Sequence, residues 1–366
     1  MMAESLITWL VFLLTFGGMV LLHEFGHFIV ARLNHIEVEE FGIGLPTPGA
    51  ITLFHWRGTR FTFNWLPFGG FVRPKGENDP SVPGGLAAAN PWRRLAVLFA
   101  GPLMNLLTAV VVFAIVIALS GMPVPGPILV HNVSPDSPAQ AAGLQANDRI
   151  IAINGQELTG VQSAIELIRA NLDKPVTMLV ERNGERIMIE ATPLSSRPPS
   201  EGALGIELST PRRPATPLEV ISGGFAITGL QAVSILYLPI ALVQGIIQPG
   251  EARLVGLKGI FDMFGAAVQQ DVQTRQPSSS SPPEPTNWTL NLIGLLSVSL
   301  GVMNLLPIPA LDGGRILFTL PELVFRRRIP PRFETMINGI AMLLLIALML
   351  FINAMDFINP ITPPIP

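Results

Sequence analysis

Apolar positions are distributed along this chain in two distinct ways. Long, nearly unbroken apolar runs occupy residues 6–30, 95–120, 290–306 and 335–357. Each is long enough for a helix to cross a bilayer core, which takes about 20 residues. A fifth apolar stretch, 219–247, is interrupted by Gly223-Gly224, Gly229, Pro239 and Gln244. Elsewhere apolar residues alternate with polar ones over short distances, as strands require. Ile51 to Trp56 and Phe61 to Trp65 flank Arg57-Gly58-Thr59-Arg60 and read as a β-hairpin. Phe61, Phe63 and Trp65 alternate with Thr62 and Asn64, so one face of that hairpin is aromatic. In residues 122–210 charges return, and strand-like runs appear at Ile128–Val133, Arg149–Ile153, Val176–Glu181 and Arg186–Ala191. Asn154-Gly155 and Asn183-Gly184 supply turns, and Ala164–Ala170 reads as a short helix.

The pattern predicts a polytopic α-helical membrane protein of four spans, with a β-hairpin region at 36–71 and a small inserted α+β domain. Its parts are residues 1–121, the inserted domain at 122–210, a connecting region at 211–287, and residues 288–366. The connecting region holds the 219–247 stretch and a Pro/Ser tract at 276–285 that cannot bury a core and reads as disordered. Composition agrees: 49% of residues are hydrophobic and 13% charged, where soluble domains carry about 25% charged residues. A net charge of -3 gives no basis for a nucleic-acid partner, and the absence of cysteine excludes disulfides and thiolate metal sites.

Basic residues set the orientation. No Lys or Arg precedes Arg32, and no basic start or small-residue cleavage site marks a removable signal peptide. Arg73, Lys75, Arg93 and Arg94 follow the first span, and Arg326, Arg327, Arg328 and Arg332 follow the third. These loops are expected in the cytoplasm, with the N-terminus and the inserted domain outside. An even number of crossings must then separate residue 120 from residue 290. The 219–247 stretch is therefore expected to lie along the outer interface, or to dip in and return with its glycines and Pro239 at the irregular points.

The chemistry lies inside the first apolar run, at His23-Glu24-Phe25-Gly26-His27. On a helix the two histidines stand one turn apart on one face. Two neutral imidazoles so placed can share a Zn²⁺, with Glu24 as general base toward water. Interior polar residues that merely bond their neighbours are the plainer reading, but burying them in an apolar span is costly without a function. Asp312, in Leu311-Asp312-Gly313-Gly314 just past Pro307 and Pro309, could complete a two-His, one-carboxylate set, or could be a turn residue at a helix end. Gly42 and Gly44 permit close backbone approach, so the hairpin region could hold an extended peptide by strand addition or be an ordinary cytoplasmic hairpin. Gly101-Pro102 and Asn105 in the second span suggest close helix packing.

Taken together these segments resemble the bacterial site-2 proteases, zinc intramembrane metalloproteases of regulated intramembrane proteolysis. His23-Glu24-Phe25-Gly26-His27 matches the family's H-E-x-G-H, and Asn304 to Gly314 matches its N-x-x-P-x-P-x-L-D-G-G. Phe41-Gly42-Ile43-Gly44 and Leu66 to Val72 resemble its membrane-associated β-hairpin region, and Ala100 to Asn105 its second-span signature. Ser137 to Leu144, Asp148-Arg149-Ile150 and Asn154-Gly155 are similar to a bacterial PDZ domain. The resemblance implies that His23, His27 and Asp312 bind zinc, that Glu24 activates water, and that Asn304 holds the substrate backbone. It places substrate contacts at Gly42, Ile43 and Gly44, and a PDZ peptide groove at Leu204-Gly205-Ile206. The implied substrate is a transmembrane protein pre-cut by another protease, such as an anti-sigma factor or a signal-peptide remnant. The implied setting is the lipid of a bacterial cytoplasmic membrane, and a peptide C-terminus is the implied partner of the PDZ-like domain. One PDZ-like domain is present where some relatives carry two, and the Pro/Ser tract is an insertion. A zinc or ion transporter would also place His and Asp in spans, but needs neither Glu24 between two histidines nor a peptide-binding domain. An inactive PDZ scaffold has no use for the full ligand set.

Overall fold

A computed structural model describes residues 2–124, 126, 128–197, 202–247, 253–275 and 287–360. The chain divides into two compact units, one made of residues 1–116, 218–271 and 287–366 and the other of residues 117–217 and 272–286. The Pro/Ser tract expected at 276–285 lies outside the described residues.

The first unit begins with helix α1 (Met2–Leu33), followed by strands β1 (Val38–Leu45), β2 (Ile51–Trp56), β3 (Thr59–Phe63) and β4 (Leu66–Pro74), then helix α2 (Pro91–Ser120). The expected hairpin is therefore half of a four-stranded sheet of order β2-β3-β1-β4. β2 and β3 are joined by Arg57 and Gly58, whose φ of 48° and 85° give the two-residue turn that matches strand twist. β1 lies parallel to β3 and antiparallel to β4. Buried Glu40 locks the sheet, pairing with Arg60 and Arg73 at 3.0 Å each and accepting from Thr62 at 2.9 Å. Phe28 of α1 packs on Phe41 and Phe61, seating the sheet against the helix.

The second unit holds β5 (Met122–Pro123), β6 (Ile128–Val133), α3 (Pro138–Ala141), β7 (Arg149–Ile153), β8 (Gln156–Glu157), α4 (Val161–Ala170), β9 (Val176–Arg182), β10 (Glu185–Ala191), β11 (Ile206–Ser209) and β12 (Arg212–Arg213). Its main sheet runs β10-β9-β7-β6-β11. Ile128, Val130, Ile150, Ile153, Met178 and Val180 alternate inward to form one core with Ala164 and Ile168 of α4. Buried Asp148 receives both Nε and Nη2 of Arg182 at 2.7 Å, which fixes the turn before β7.

The first unit resumes with α5 (Pro217–Val243), α6 (Leu257–Arg275), α7 (Trp288–Leu305), α8 (Asp312–Phe325) and α9 (Pro331–Ile358). Among the described residues five helices are long and apolar enough to cross a membrane, at 7–33, 91–120, 217–243, 288–305 and 331–358, where the sequence suggested four. The fifth is α5. It continues unbroken through Gly223-Gly224, Gly229 and Pro239, so the expected dip and return within 219–247 is not observed. In apolar surroundings an uninterrupted helix satisfies its own backbone groups, which a break at Pro239 would not. α6 was not foreseen, because its mixed face reads neither as a span nor as a strand. Buried Phe264 and its neighbour Phe261 pack on Trp9 and Phe12 near the start of α1. The start of α6 is pinned to the far end of α9, where Asp356 accepts from Gly256, Gly259 and Arg253, the last at 2.8 Å.

These contacts define helix directions within the first unit. Gly26 of α1 abuts Ala100 of α2, while Phe12 shares a cluster with Leu292 near the start of α7. Gly294 and Gly301 of α7 abut Phe113 and Leu106 of α2, so α2 runs against both α1 and α7. The end of α2 and the start of α6 thus lie at the same end of the helices. A Cβ on Gly26 would come within 2.4 Å of the Ala100 carbonyl oxygen, whereas Gly17 has open space around it. Overpacking of this kind costs about 1–3 kcal/mol. Gly26→Leu should therefore lower the thermal unfolding midpoint of the detergent-solubilised protein by several degrees, and Gly17→Leu should not. Equal midpoints for the two variants would contradict the α1–α2 contact.

Candidate active site

The two histidines sit on the face of α1 that meets α2. His27 Nδ1 lies 2.7 Å from the Val97 carbonyl. It must donate to that oxygen, which leaves its Nε2 as a lone pair. His23 Nδ1 lies 3.3 Å from the Asn105 side-chain nitrogen, while the buried Asn105 Oδ1 has no partner. Turning the Asn105 amide over brings Oδ1 to His23 Nδ1, where it accepts from Nδ1–H, the tautomer that leaves His23 Nε2 as a lone pair. Both imidazoles then present Nε2 lone pairs to the same point, 3.2 Å apart.

Asp312 reaches that point from α8. Helix α7 ends at Leu305, and the chain turns through Pro307, Pro309 and Ala310, whose φ is 75°. Ala310 N–H donates to Asn338 Oδ1 of α9 at 3.0 Å, which ties down the turn. Gly313 and Gly314 are demanded by packing, because a Cβ at either would lie 2.1 or 2.4 Å from the carbonyl oxygens of Leu306 and Ile308. The Asp-Gly-Gly run is thus both a turn and a donor: its glycines close the turn, and its aspartate enters the site. Asp312 Oδ2 lies 3.1 Å from His23 Nε2 and 3.3 Å from His27 Nε2, and is buried without a hydrogen-bond partner.

Three lone-pair atoms facing one another at these distances repel unless a cation lies among them. A tetrahedral Zn²⁺ with bonds of 2.0–2.1 Å would set its ligands about 3.3–3.4 Å apart, so His23, His27 and Asp312 fit zinc. Gly101 of α2 keeps the space clear. A Cβ there would lie 2.2 Å from His27 Nε2 and 2.8 Å from His23 Nε2.

Glu24 lies beside the triad and accepts the Val72 N–H at 3.0 Å through Oε2. Val72 belongs to β4, the terminal strand of its sheet, whose outer edge faces a cavity of about 390 Å³. His23, Glu24, His27, Asn304 and Asp312 all line that cavity. Asn304 donates through Nδ2 to the Leu300 carbonyl at 3.0 Å. The structure does not bring Gly42, Ile43 or Gly44 there. They lie in β1, an inner strand, and the cavity wall is made by Phe71, Val72 and Pro74 of β4. Gly42 instead makes room for Phe71, whose ring would lie 2.1 Å from a Cβ at that position. Leu204, Gly205 and Ile206 belong to the other unit. Leu204 is buried in its core, Gly205 has φ 69°, and Ile206 begins the terminal strand β11 beside α4. Leu204 and Ile206 line a cavity of about 640 Å³ with Val161, Ile165 and Ile168 of α4.

Sequence reasoning missed β4 as the strand beside the site, the clearance role of Gly101, and two charged residues on the cavity wall, Glu77 and Arg315. Arg315 stands one turn after Asp312, and that spacing was the available signal.

Residues 11–348 match the model of "Peptidase family M50". A Clostridium perfringens protein whose name carries the words zinc metalloprotease is 33% identical over 95% of this chain and 98% of its own. A Campylobacter jejuni protein of the same description is 30% identical over 96% of this chain and 93% of its own. The PDZ domain of an SdrC-like protein from Listeria monocytogenes aligns with 24% of this chain and 90% of its own at 23% identity, with a TM-score of 0.21. The apolar helices mark an integral membrane protein. The family match spans the converging histidines, Glu24 and Asp312, and the chain belongs to peptidase family M50, the zinc metalloproteases.

Proposed function

We propose that this protein is an intramembrane endopeptidase that cleaves transmembrane segments of other membrane proteins. The observation that carries the reading is the meeting of His23, His27, Asp312 and Glu24 beside the outer edge of β4, within a unit built of apolar helices. His23, His27 and Asp312 would hold the zinc. Bound zinc supplies a polarised scissile carbonyl and a water whose pKa falls toward about 7. Glu24 is oriented by Val72, which engages Oε2 and leaves Oε1 to take the proton of the attacking water. The same carboxyl group then delivers that proton to the departing amine as the C–N bond breaks.

A substrate helix hides its carbonyls in its own hydrogen bonds and must unwind before attack. An extended segment laid along β4 would replace those bonds, with Phe71 and Val72 at its flank and Asn304 across the cavity to engage its backbone. The domain at 122–210 is assigned as the PDZ-like module, with β11 and α4 framing its peptide groove. Upstream cutting of the substrate, and lipid as the surrounding solvent, complete the reading.

The orientation follows from the charge pattern and the helix directions. The N-terminus and the 122–210 domain are assigned to the outer side and Arg326–Arg332 to the cytoplasm of a bacterial inner membrane. The end of α2 and the start of α6 lie at one end of the helices, which supports the reading that the chain makes no net crossing between them.

Glu24→Gln should keep zinc and lose cleavage of a membrane substrate, since the amide has the shape but is no base. His23→Ala and Asp312→Ala should each lose zinc, measured by metal analysis after dialysis against a chelator. Cleavage at the wild-type rate by Glu24→Gln would remove the general-base role. Gly101→Ala should also lose zinc, because its methyl group meets both Nε2 atoms; full zinc content in that variant would contradict the placement of the site. The native chain has no cysteine, so single cysteines report topology cleanly. Cysteines at Ser163 and Gln269 should react with an impermeant reagent from the same side, and one at Arg327 from the opposite side. Opposite sidedness of Ser163 and Gln269 would mean that α5 crosses.

A further inference from the structure

The cavity around the zinc ligands carries an ion pair that the reaction as described does not use. Arg315 lies on the first turn of α8, one turn beyond Asp312, and its guanidinium bonds the Glu77 carboxylate. Glu77 sits on the loop that joins β4 to α2. Both residues line the cavity, and their side chains are partly exposed, at 31% and 29%. Among the described lining residues Arg315 is the one with a permanent positive charge, while Glu24, Glu77 and Asp312 are all acids.

That charge balance matters for the product. Hydrolysis breaks the C–N bond, adds the water oxygen to the acyl carbon, and leaves a new carboxylate and an amine. The new carboxylate appears beside Glu24 and Asp312, both of which repel it. Arg315 has the opposite charge. Its guanidinium presents five donors, of which the bond to Glu77 Oε1 occupies one through Nη1. A carboxylate can therefore be received by an edge of the fork that is unengaged among the described residues, or can replace Glu77 outright. The start of an α-helix adds its own positive field at this place. Burial alone would lower the Arg315 pKa, but the carboxylates of Glu77, Asp312 and Glu334 raise it instead, so the group stays charged.

Resting on the proteolytic reading above, we infer that Arg315 is a subsite for the C-terminal carboxylate released by cleavage, and that Glu77 occupies it in the resting site as a built-in competitor. Neutral peptide upstream of the scissile bond gains nothing from this subsite. The product does, so the pair sets how long the new C-terminus stays and what displaces it.

The test measures binding of one fluorescein-labelled apolar hexapeptide in two forms, free carboxylate and carboxamide. The binding partner is the purified full-length zinc-loaded protein in detergent, read by anisotropy. The Glu24→Gln background prevents turnover, and zinc content is measured for each variant. The ratio of the two affinities isolates the carboxylate. Arg315→Gln should reduce the preference for the carboxylate about tenfold or more, as expected for loss of a charge-assisted bond. Arg315→Lys should keep most of it. Glu77→Gln should increase the preference, because it frees the guanidinium. A merely structural ion pair predicts that Arg315→Gln and Glu77→Gln, which break the same bridge, shift the ratio the same way. That result, or an unchanged ratio in both, overturns the inference. Should Arg315→Gln lose zinc, Glu77→Gln decides alone, since it leaves Arg315 and Asp312 in place. Failure of the proteolytic reading would look different: the wild-type protein would not cleave a membrane substrate at all.

Discussion

Everything in the membrane unit depends on bringing one carboxylate, Asp312, to two imidazoles on another helix. Taking a carboxylate and two imidazoles out of water is expensive, and leaving one such group without its partners costs about 3–5 kcal/mol. The surrounding structure meets that cost by aiming all three side chains in advance. Val97 fixes the His27 tautomer, Asn105 addresses His23, and the turn at Pro307–Ala310 swings Asp312 inward. Gly101 leaves the central volume unfilled by carbon. The helices are packed through glycine contacts, Gly26 on Ala100, Gly294 on Phe113 and Gly301 on Leu106, which bring the backbones close.

The sheet has a different task. On the proposed reading, a helical segment must be unwound before cleavage and its backbone offered new hydrogen-bond partners. β4 is held on one side by β1 and on the other by Glu24, so the Glu24 carboxylate, the proposed base, and the strand edge are positioned by one hydrogen bond, from Val72. Orientation of the base and presentation of the edge are thus coupled through a single backbone amide. Gly42 contributes indirectly, by admitting the Phe71 ring that forms the cavity wall.

Much of this was legible in the residues. His23, Glu24 and His27 stood out because apolar surroundings make unpaired polar groups costly, Asp312 was one of two readings of a helix-end turn, Asn304 entered through the family resemblance, and the structure places all five on one cavity. The alternation in 128–191 was enough to locate four strands of the second unit's sheet. What escaped was set by tertiary contact. β4 carries Gly69-Gly70 and Pro67, which weaken any strand alternation, so Leu66 to Val72 entered only through the family resemblance, and its place beside the site, set by pairing with β1, was not foreseen. α6 owes its position to Phe261 and Phe264 meeting Trp9 and Phe12, residues some 250 positions away in sequence. α5 passes through its glycines and Pro239 without a break, since local punctuation yields to the need to satisfy backbone groups in apolar surroundings. Gly101 looked like helix packing and is so, but the atoms a Cβ there would meet are those of the two imidazoles of α1.

The central claim is that His23, His27 and Asp312 form one zinc site. The most direct measurement is X-ray absorption at the zinc edge of the purified, metal-loaded protein. The account predicts a shell of nitrogen and oxygen at about 2.0–2.2 Å, with outer scattering from two imidazoles. A shell of oxygens alone, without imidazole scattering, would contradict it.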